Sequence, residues 1–233
     1  SYDVFDEYNR IFYTEKENTV GGKDYSYKKF DWAGRVIKEA SYHYASGQST
    51  TENYVISEPV YDQQNRVVYV KTSQKFKDVT KTYIPTLAKY NELGNEYETL
   101  INPSESSITQ ASGAYNATSY TLKNSTKENE RGWLTELVTA SASKTFFKEE
   151  LAYNTHSLLS NSTGFVAKYD GTITGVEFEQ RDASDNIKKY QYIYGYDNLG
   201  QLKKAAYFAH QNAGARDDYT TDLLDYDANG NIK

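Results

Sequence analysis

Tyr196-Asp197-Asn198-Leu199-Gly200-Gln201-Leu202 is the stretch that decides the fold. An aromatic ring precedes an Asp, two variable residues follow, and then come Gly, a polar residue and an aliphatic one. Asp at the start of a four-residue turn accepts a hydrogen bond from the backbone two residues on, and Gly at the fourth place tolerates positive φ. This is the chemistry of a type I turn closed by a bulge. The ring then ends one antiparallel strand and the aliphatic residue begins the next, with both side chains available to one core. Tyr192, Tyr194 and Tyr196 alternate before the turn, so they are expected to share one sheet face and to be mostly buried.

The pattern recurs along the chain. Phe5-Asp6-Glu7-Tyr8-Asn9-Arg10-Ile11, Phe30-Asp31-Trp32-Ala33-Gly34-Arg35-Val36 and Tyr61-Asp62-Gln63-Gln64-Asn65-Arg66-Val67 keep every position. Tyr90-Asn91-Glu92-Leu93-Gly94-Asn95-Glu96 loses the aliphatic residue, and Tyr226-Asp227-Ala228-Asn229-Gly230-Asn231-Ile232 restores it. Two weaker copies lie between: Asn129-Glu130-Arg131-Gly132-Trp133-Leu134 has Glu128 where the ring should be, and Tyr169-Asp170-Gly171-Thr172-Ile173 is shortened. The expected structural turn residues are therefore Asp6, Asn9, Asp31, Gly34, Asp62, Asn65, Asn91, Gly94, Asn129, Gly132, Asp197, Gly200, Asp227 and Gly230. The ring positions are irregularly spaced, which suits a hairpin series with loops of variable length better than a helical solenoid.

Composition agrees with sheet. Among 233 residues only 38% are hydrophobic, but 24 Tyr and 9 Phe supply large apolar rings, and 3 Pro rarely interrupt the chain. The expected core is aromatic. Turn signals recur too often for any helix longer than about three turns, and Val67-Val68-Tyr69-Val70 reads as a strand able to bury both faces. Residues 103–127 are rich in Ser, Thr and Asn and are expected to form a long loop or an irregular hairpin within a single repeat domain spanning 1–233.

These residues closely resemble the YD-repeat or RHS-repeat family, whose signature is YDxxGR, and more finely the RHS proteins of the Bacteroidota. There, stretches similar to Tyr90–Gly94, Arg131-Gly132-Trp133-Leu134-Thr135, Leu151-Ala152-Tyr153-Asn154, Tyr196–Leu202 and Tyr226–Ile232 recur in similar order. The resemblance implies an all-β fold of antiparallel hairpin repeats coiled into a curved or spiral shell segment, which in several relatives encloses a C-terminal toxin. The implied role is a non-catalytic wall that encloses or presents another part of a secreted or cell-surface protein. The implied partners are the remainder of the same polypeptide or an enclosed C-terminal domain, and secretion or surface machinery. The autoproteolytic segment of many relatives has no match here, nor does any toxin domain. Zero Met, and an end at Ile232-Lys233 just after a turn signal, lead us to expect a piece incomplete at both ends.

The search for chemistry returns little. The formal charge of -6, from 26 Lys+Arg against 32 Asp+Glu without a long basic run, argues against nucleic acid. Zero Cys removes disulfides, thiolate metal sites and cysteine nucleophiles, and no apolar run suits membrane insertion. His43, His156 and His210 lack metal-ligand spacing and read as surface or pore-facing groups. Asp227, Asn229 and Asn231 alternate around Gly230 like the start of a calcium loop, but the closing Glu is missing. Sequons begin at Asn116, Asn124 and Asn161 and carry little weight in so Asn- and Thr-rich a chain. No catalytic residue, metal or cofactor is expected. The competing function is a binding module or adhesin, with Tyr-rich faces or the 103–127 segment contacting a glycan or a protein partner.

Overall fold

The computed structural model describes residues 1–46, 53–77, 79–160, 162–209, 219–222, 225–227 and 229–232. Asn161, His210, Ala228 and Lys233 lie outside the described residues. The chain falls into two compact units, Ser1–Leu122 and Lys123–Lys233, with the division inside the Ser/Thr/Asn-rich segment. Both are built from antiparallel hairpins; among the described residues there is no α-helix, and the first unit holds the short 3-10 turn Glu105–Ser107.

In the first unit the strands β1 (Tyr2–Phe5), β2 (Ile11–Glu17), β3 (Lys23–Phe30), β4 (Val36–His43), β5 (Asn53–Tyr61) and β6 (Val67–Phe76) pair in sequence order. β6 then pairs with β7 (Val79–Tyr83) and, at Tyr69↔Leu87, with β8 (Thr86–Tyr90), which pairs with β9 (Glu96–Ile101). The second unit runs from β12 (Leu122–Glu128) through β13 (Leu134–Ala140), β14 (Thr145–Ala152), β15 (Gly175–Arg181), β16 (Ile187–Tyr196) and β17 (Leu202–Ala209) to β18 (Thr221–Asp222), each paired with the next. Where a tight turn joins two strands, next-neighbour pairing follows directly, because the chain has no length to reach a more distant strand.

A regular bulge follows the turns that join β1–β2, β3–β4, β5–β6, β8–β9, β12–β13 and β16–β17, whereas the β2–β3 and β15–β16 pairings keep their register. Tyr61 faces Val67 while Val60 faces Tyr69, so Val68 stands extra. The same two-against-one step falls at the same place after Phe5, Phe30, Tyr90, Glu128 and Tyr196. A bulge turns one side chain toward the other face and sharpens the local twist. This explains why the Val67–Val70 run is not buried on both faces: the bulged Val68 is 5% exposed and enters the core, whereas Val67 stays 40% exposed.

The core is aliphatic at its centre in the first unit and partly aromatic, as expected, in the second, where Tyr153, Tyr207 and Phe208 are buried. In the first unit Val68, Leu87, Leu100 and Ala117 form a buried cluster with Tyr69, Ile108, Tyr115 and Tyr120 packed around it. Ala117, Ile108 and Tyr115 belong to the 103–127 segment, which folds as the hairpin β10 (Ile108–Ala111) and β11 (Ala114–Ala117) and covers the sheet. Ser112 at φ 51° and Gly113 at φ 82° give its two-residue turn the left-handed pair that matches strand twist. The segment thus contributes to the core as well as connecting strands. In the second unit Ile193, Ala206 and Phe208 are covered by Leu159 and Phe165 of the irregular 153–174 excursion.

As expected, Tyr192 and Tyr194 share a face of β16, with parallel rings 6.2 Å apart, and they are largely buried beside their cross-strand neighbours Val176 and Tyr207, each 7% exposed. The opposite side is drier still, with Gln191 and Ile193 each 3% exposed. Alternation identifies which residues share a face, while the excursion deepens the burial of one of them.

Candidate functional site

The expected turn residues form one repeated device. Asp6, Asp31, Asp62, Asp197 and Asp227 each accept, on Oδ1, the backbone N–H two and four residues on, at 2.9 Å. Asn129 does the same at 3.0 Å, and Asn91 accepts from Asn95 at 2.9 Å. The backbone closes twice around each, for example Asp197 N–H to the Gln201 carbonyl and Gly200 N–H to the Asp197 carbonyl. The fourth place is left-handed throughout: Asn9 at φ 61°, Asn65 at 70°, and Gly34, Gly94, Gly132, Gly200 and Gly230 between 76° and 90°.

Two further copies carry no ring and lie outside the sequence reading. Asn18 opens Asn18–Gly22 with Oδ1 accepting Val20 and Gly22 N–H, and Gly21 sits at φ 74°. Asp182 opens Asp182–Asn186 with Oδ1 accepting Ser184 and Asn186 N–H, and Asp185 takes φ 69°. Asp or Asn followed three residues later by Gly, Asn or Asp is the signal that would have found them, with the ring left out of the search.

A Cβ on Gly200 would meet nothing within 4 Å, so substitution there tests backbone conformation alone. Gly200→Val should cost about 1–3 kcal/mol, because a β-branched residue at positive φ crowds its own backbone. Asn198→Val at the exposed middle position should stay within about 0.5 kcal/mol. Gln63 is a poorer control, since its side chain lies 3.0 Å from where a Cβ on Gly113 would sit. Equal losses at 200 and 198 in urea melts would remove the left-handed requirement.

The ring has a different task from the one expected. Each docks on the preceding copy: Tyr61 donates its hydroxyl to the Val36 carbonyl, Tyr90 to Val67, Tyr196 to Ile173 and Tyr226 to Leu202, at 2.6–2.9 Å. The arginine of the preceding copy lies against the ring face, Arg10 over Phe30 at 4.2 Å, Arg35 over Tyr61 at 4.9 Å and Arg66 over Tyr90 at 4.5 Å. The same guanidinium bonds its own turn, Arg35 Nε donating to Asp31 Oδ2 at 2.6 Å, and reaches the next through Asn65 Oδ1 at 2.9 Å. The sequence order ring, Asp, Arg, aliphatic is therefore a connector between successive hairpins. Where the 129–134 copy has Trp133 in place of Arg, Tyr153 supplies the ring: it donates to the Leu134 carbonyl at 2.7 Å and packs on Trp133 at 5.1 Å. Tyr169, expected to be the ring of a shortened copy, is 64% exposed and serves through its carbonyl, which accepts from Arg131.

These connectors set an acid limit. For Asp6, Asp31 and Asp62, burial pushes the carboxyl up, but the arginine backbone N–H and guanidinium outweigh it and hold each pKa below the ordinary value. A lowered native pKa gives stability that is full above the unfolded value of about 3.9 and is lost as pH falls through the native value. The urea midpoint should therefore be flat toward neutral pH and decline below about pH 4. Asp62→Asn keeps the backbone acceptor, as Asn91 and Asn129 do, and should flatten that decline; an unchanged acid limb in this variant would contradict the assignment.

Six of the tyrosines not used in connectors gather on one face of β2–β5. Tyr13, Tyr25, Tyr27, Tyr42, Tyr44 and Tyr54 form a continuous set with neighbouring ring centroids 5.2–6.3 Å apart. Burial raises the phenol pKa of Tyr13, Tyr42 and Tyr44. The rings turn toward one another, Tyr42 and Tyr44 within 3° and Tyr27 and Tyr42 within 15° of parallel. On the other face His43 Nδ1 lies 2.7 Å from Asp24 Oδ1, which also accepts from Asn18 Nδ2 at 3.1 Å. His156 packs edge-on against Phe165 in the second unit. Among the described residues no group of three or more His, Asp or Glu could hold a metal, and no helix is long and apolar enough to cross a membrane.

No family model matches the chain, and no curated protein matches it. Among solved structures, a crystal structure of TcdB2-TccC3-TEV is similar over 93% of this chain, at 12% identity and a TM-score of 0.28. The chain spans 13% of the length of that protein.

Proposed function

We propose that the chain is a non-catalytic wall segment of an RHS-type shell, which encloses or presents another part of a secreted or surface protein of the kind found in the Bacteroidota. The observation that carries the reading is the connector: ring, turn carboxylate and arginine bind each hairpin to the one before it, so hairpins add in series without a separate core for each. A wall needs that property. The turn carboxylates that might otherwise serve as acids or bases are engaged by backbone N–H groups and arginines, which supports a structural role over catalysis.

Two measurements test it. Tyr61→Phe should cost about 0.5–1.5 kcal/mol through the lost hydroxyl bond. A double-mutant cycle with Arg35→Ala should show coupling above about 0.5 kcal/mol; strict additivity would mean that ring and arginine do not act as one connector. In the native polypeptide, limited proteolysis should spare the enclosed part and digest it once Tyr61 and Tyr90 are both changed to Ala. Equal digestion before and after would remove the enclosing role.

A further inference from the structure

The face of β2–β6 opposite the tyrosines carries two polar rows that cross the strands. Lys16, Asp24, His43 and Asn53 are successive cross-strand partners, and one step along the strands so are Thr14, Ser26, Ser41, Val55 and Gln74. Period-two alternation puts both rows on one face and Tyr25, Tyr42 and Tyr54 on the other. The tyrosine rings thus lie on one side of the sheet and mostly short polar chains on the other, and a cavity of about 660 Å³ lies over the short ones. This is within the range of small-molecule sites. The second row crosses five strands, about 19 Å at the usual strand spacing.

We propose that this trough binds a neutral oligosaccharide laid across the strands. The donor set carries the choice. Hydroxyls at Ser26 and Ser41 and the carboxamide of Gln74 can each both donate and accept, as a ligand of repeated hydroxyl groups requires, while Thr14, whose O–H is given to Asp3 Oδ1 at 2.7 Å, offers an acceptor and Asn53, whose Oδ1 takes the Lys77 N–H at 3.2 Å, offers its amide N–H groups. His43, held through Nδ1 at 2.7 Å from Asp24 Oδ1, sets its imidazole in the trough lining in a fixed orientation. At the far end of the trough Phe76, 66% exposed, and Val55, 46% exposed, offer apolar surface to the C–H face of a sugar ring. A phosphorylated or sulfated ligand would need several cations, whereas on this face Lys16 stands beside Asp24. A lipid would need more apolar wall than Phe76 and Val55 supply. The site goes beyond the scaffold reading and does not depend on it.

The test is calorimetric titration of the whole chain with hexasaccharides of glucose, xylose, mannose and N-acetylglucosamine, and with a heparin hexasaccharide as the charged probe. Saturable binding to at least one neutral probe is expected. The Asn53→Ala, Gln74→Ala double variant should weaken it about tenfold by removing two hydrogen-bonding amides. Ser41→Tyr should abolish it by filling the trough, and Tyr27→Phe, on the opposite face and away from the cavity lining, should leave it unchanged. Should Ser41→Tyr melt early, the amide double variant carries the comparison. The proposal is overturned by no saturable binding to any neutral probe, by tighter binding to heparin than to all of them, or by amide and trough-filling variants that melt and bind like the parent.

Discussion

Leu87→Ala is expected to lower the stability of the first unit by about 2–5 kcal/mol, the range for emptying a fully buried leucine site. Leu87 is fully buried and Leu100, its cross-strand partner, is 1% exposed. Ala117 and the half-buried Ile108 and Tyr115 close the site from above. The covering hairpin β10–β11 gains its hold on the sheet from this contact, so the loss should not stay local. Amide exchange should accelerate across Ile108–Ala117 while the β2–β3 hairpin, far from the cavity, keeps its protection. Uniform acceleration over the unit would show instead that the hairpin is not a separate cover. A cost under about 1 kcal/mol would mean that the site collapses around the smaller residue.

Gly22→Ala should cost on the order of 3 kcal/mol, more than Gly21→Ala beside it. This ranking is opposite to one drawn from backbone angles, since Gly21 is the residue at φ 74°. A Cβ on Gly21 would come no closer than 3.8 Å to Ser46, whereas one on Gly22 would lie 1.8 Å from the Tyr44 carbonyl oxygen and 2.9 Å from the Ala45 carbonyl carbon. Those atoms are backbone and cannot swing aside as a side chain could. The end of β4 must move outward, which strains the Asn18 Nδ2 bond to the Tyr44 carbonyl and the Tyr44 N–H bond to Lys23. Urea melts of the two variants decide the matter. A larger loss at Gly21 would place the strain in the turn rather than in the approach of β4.

What the sequence determined by itself is what closes within five residues. An Asp, a left-handed residue three places on and the backbone between them make all their bonds locally, so the turns at Asp6, Asp31, Asp62, Asn91, Asn129, Asp197 and Asp227, and with them the antiparallel order of the strands, were legible before any fold was known. The turns at Asn18 and Asp182 use the same bonds and were missed only because the ring had been treated as part of the turn. Tertiary structure decided what the ring is for. Tyr61 finds its carbonyl 25 residues away and Tyr196 finds one 23 residues away, and no local rule reaches that far. It decided also how dry each face is. Alternation divides a strand into two faces equally well for Tyr192 with Tyr194 and for Gln191 with Ile193, and the return of Leu159 and Phe165 over the second leaves it the more deeply buried. The polar rows over β2–β6 arise in the same way, from residues unremarkable in their own strands that pairing register brings side by side.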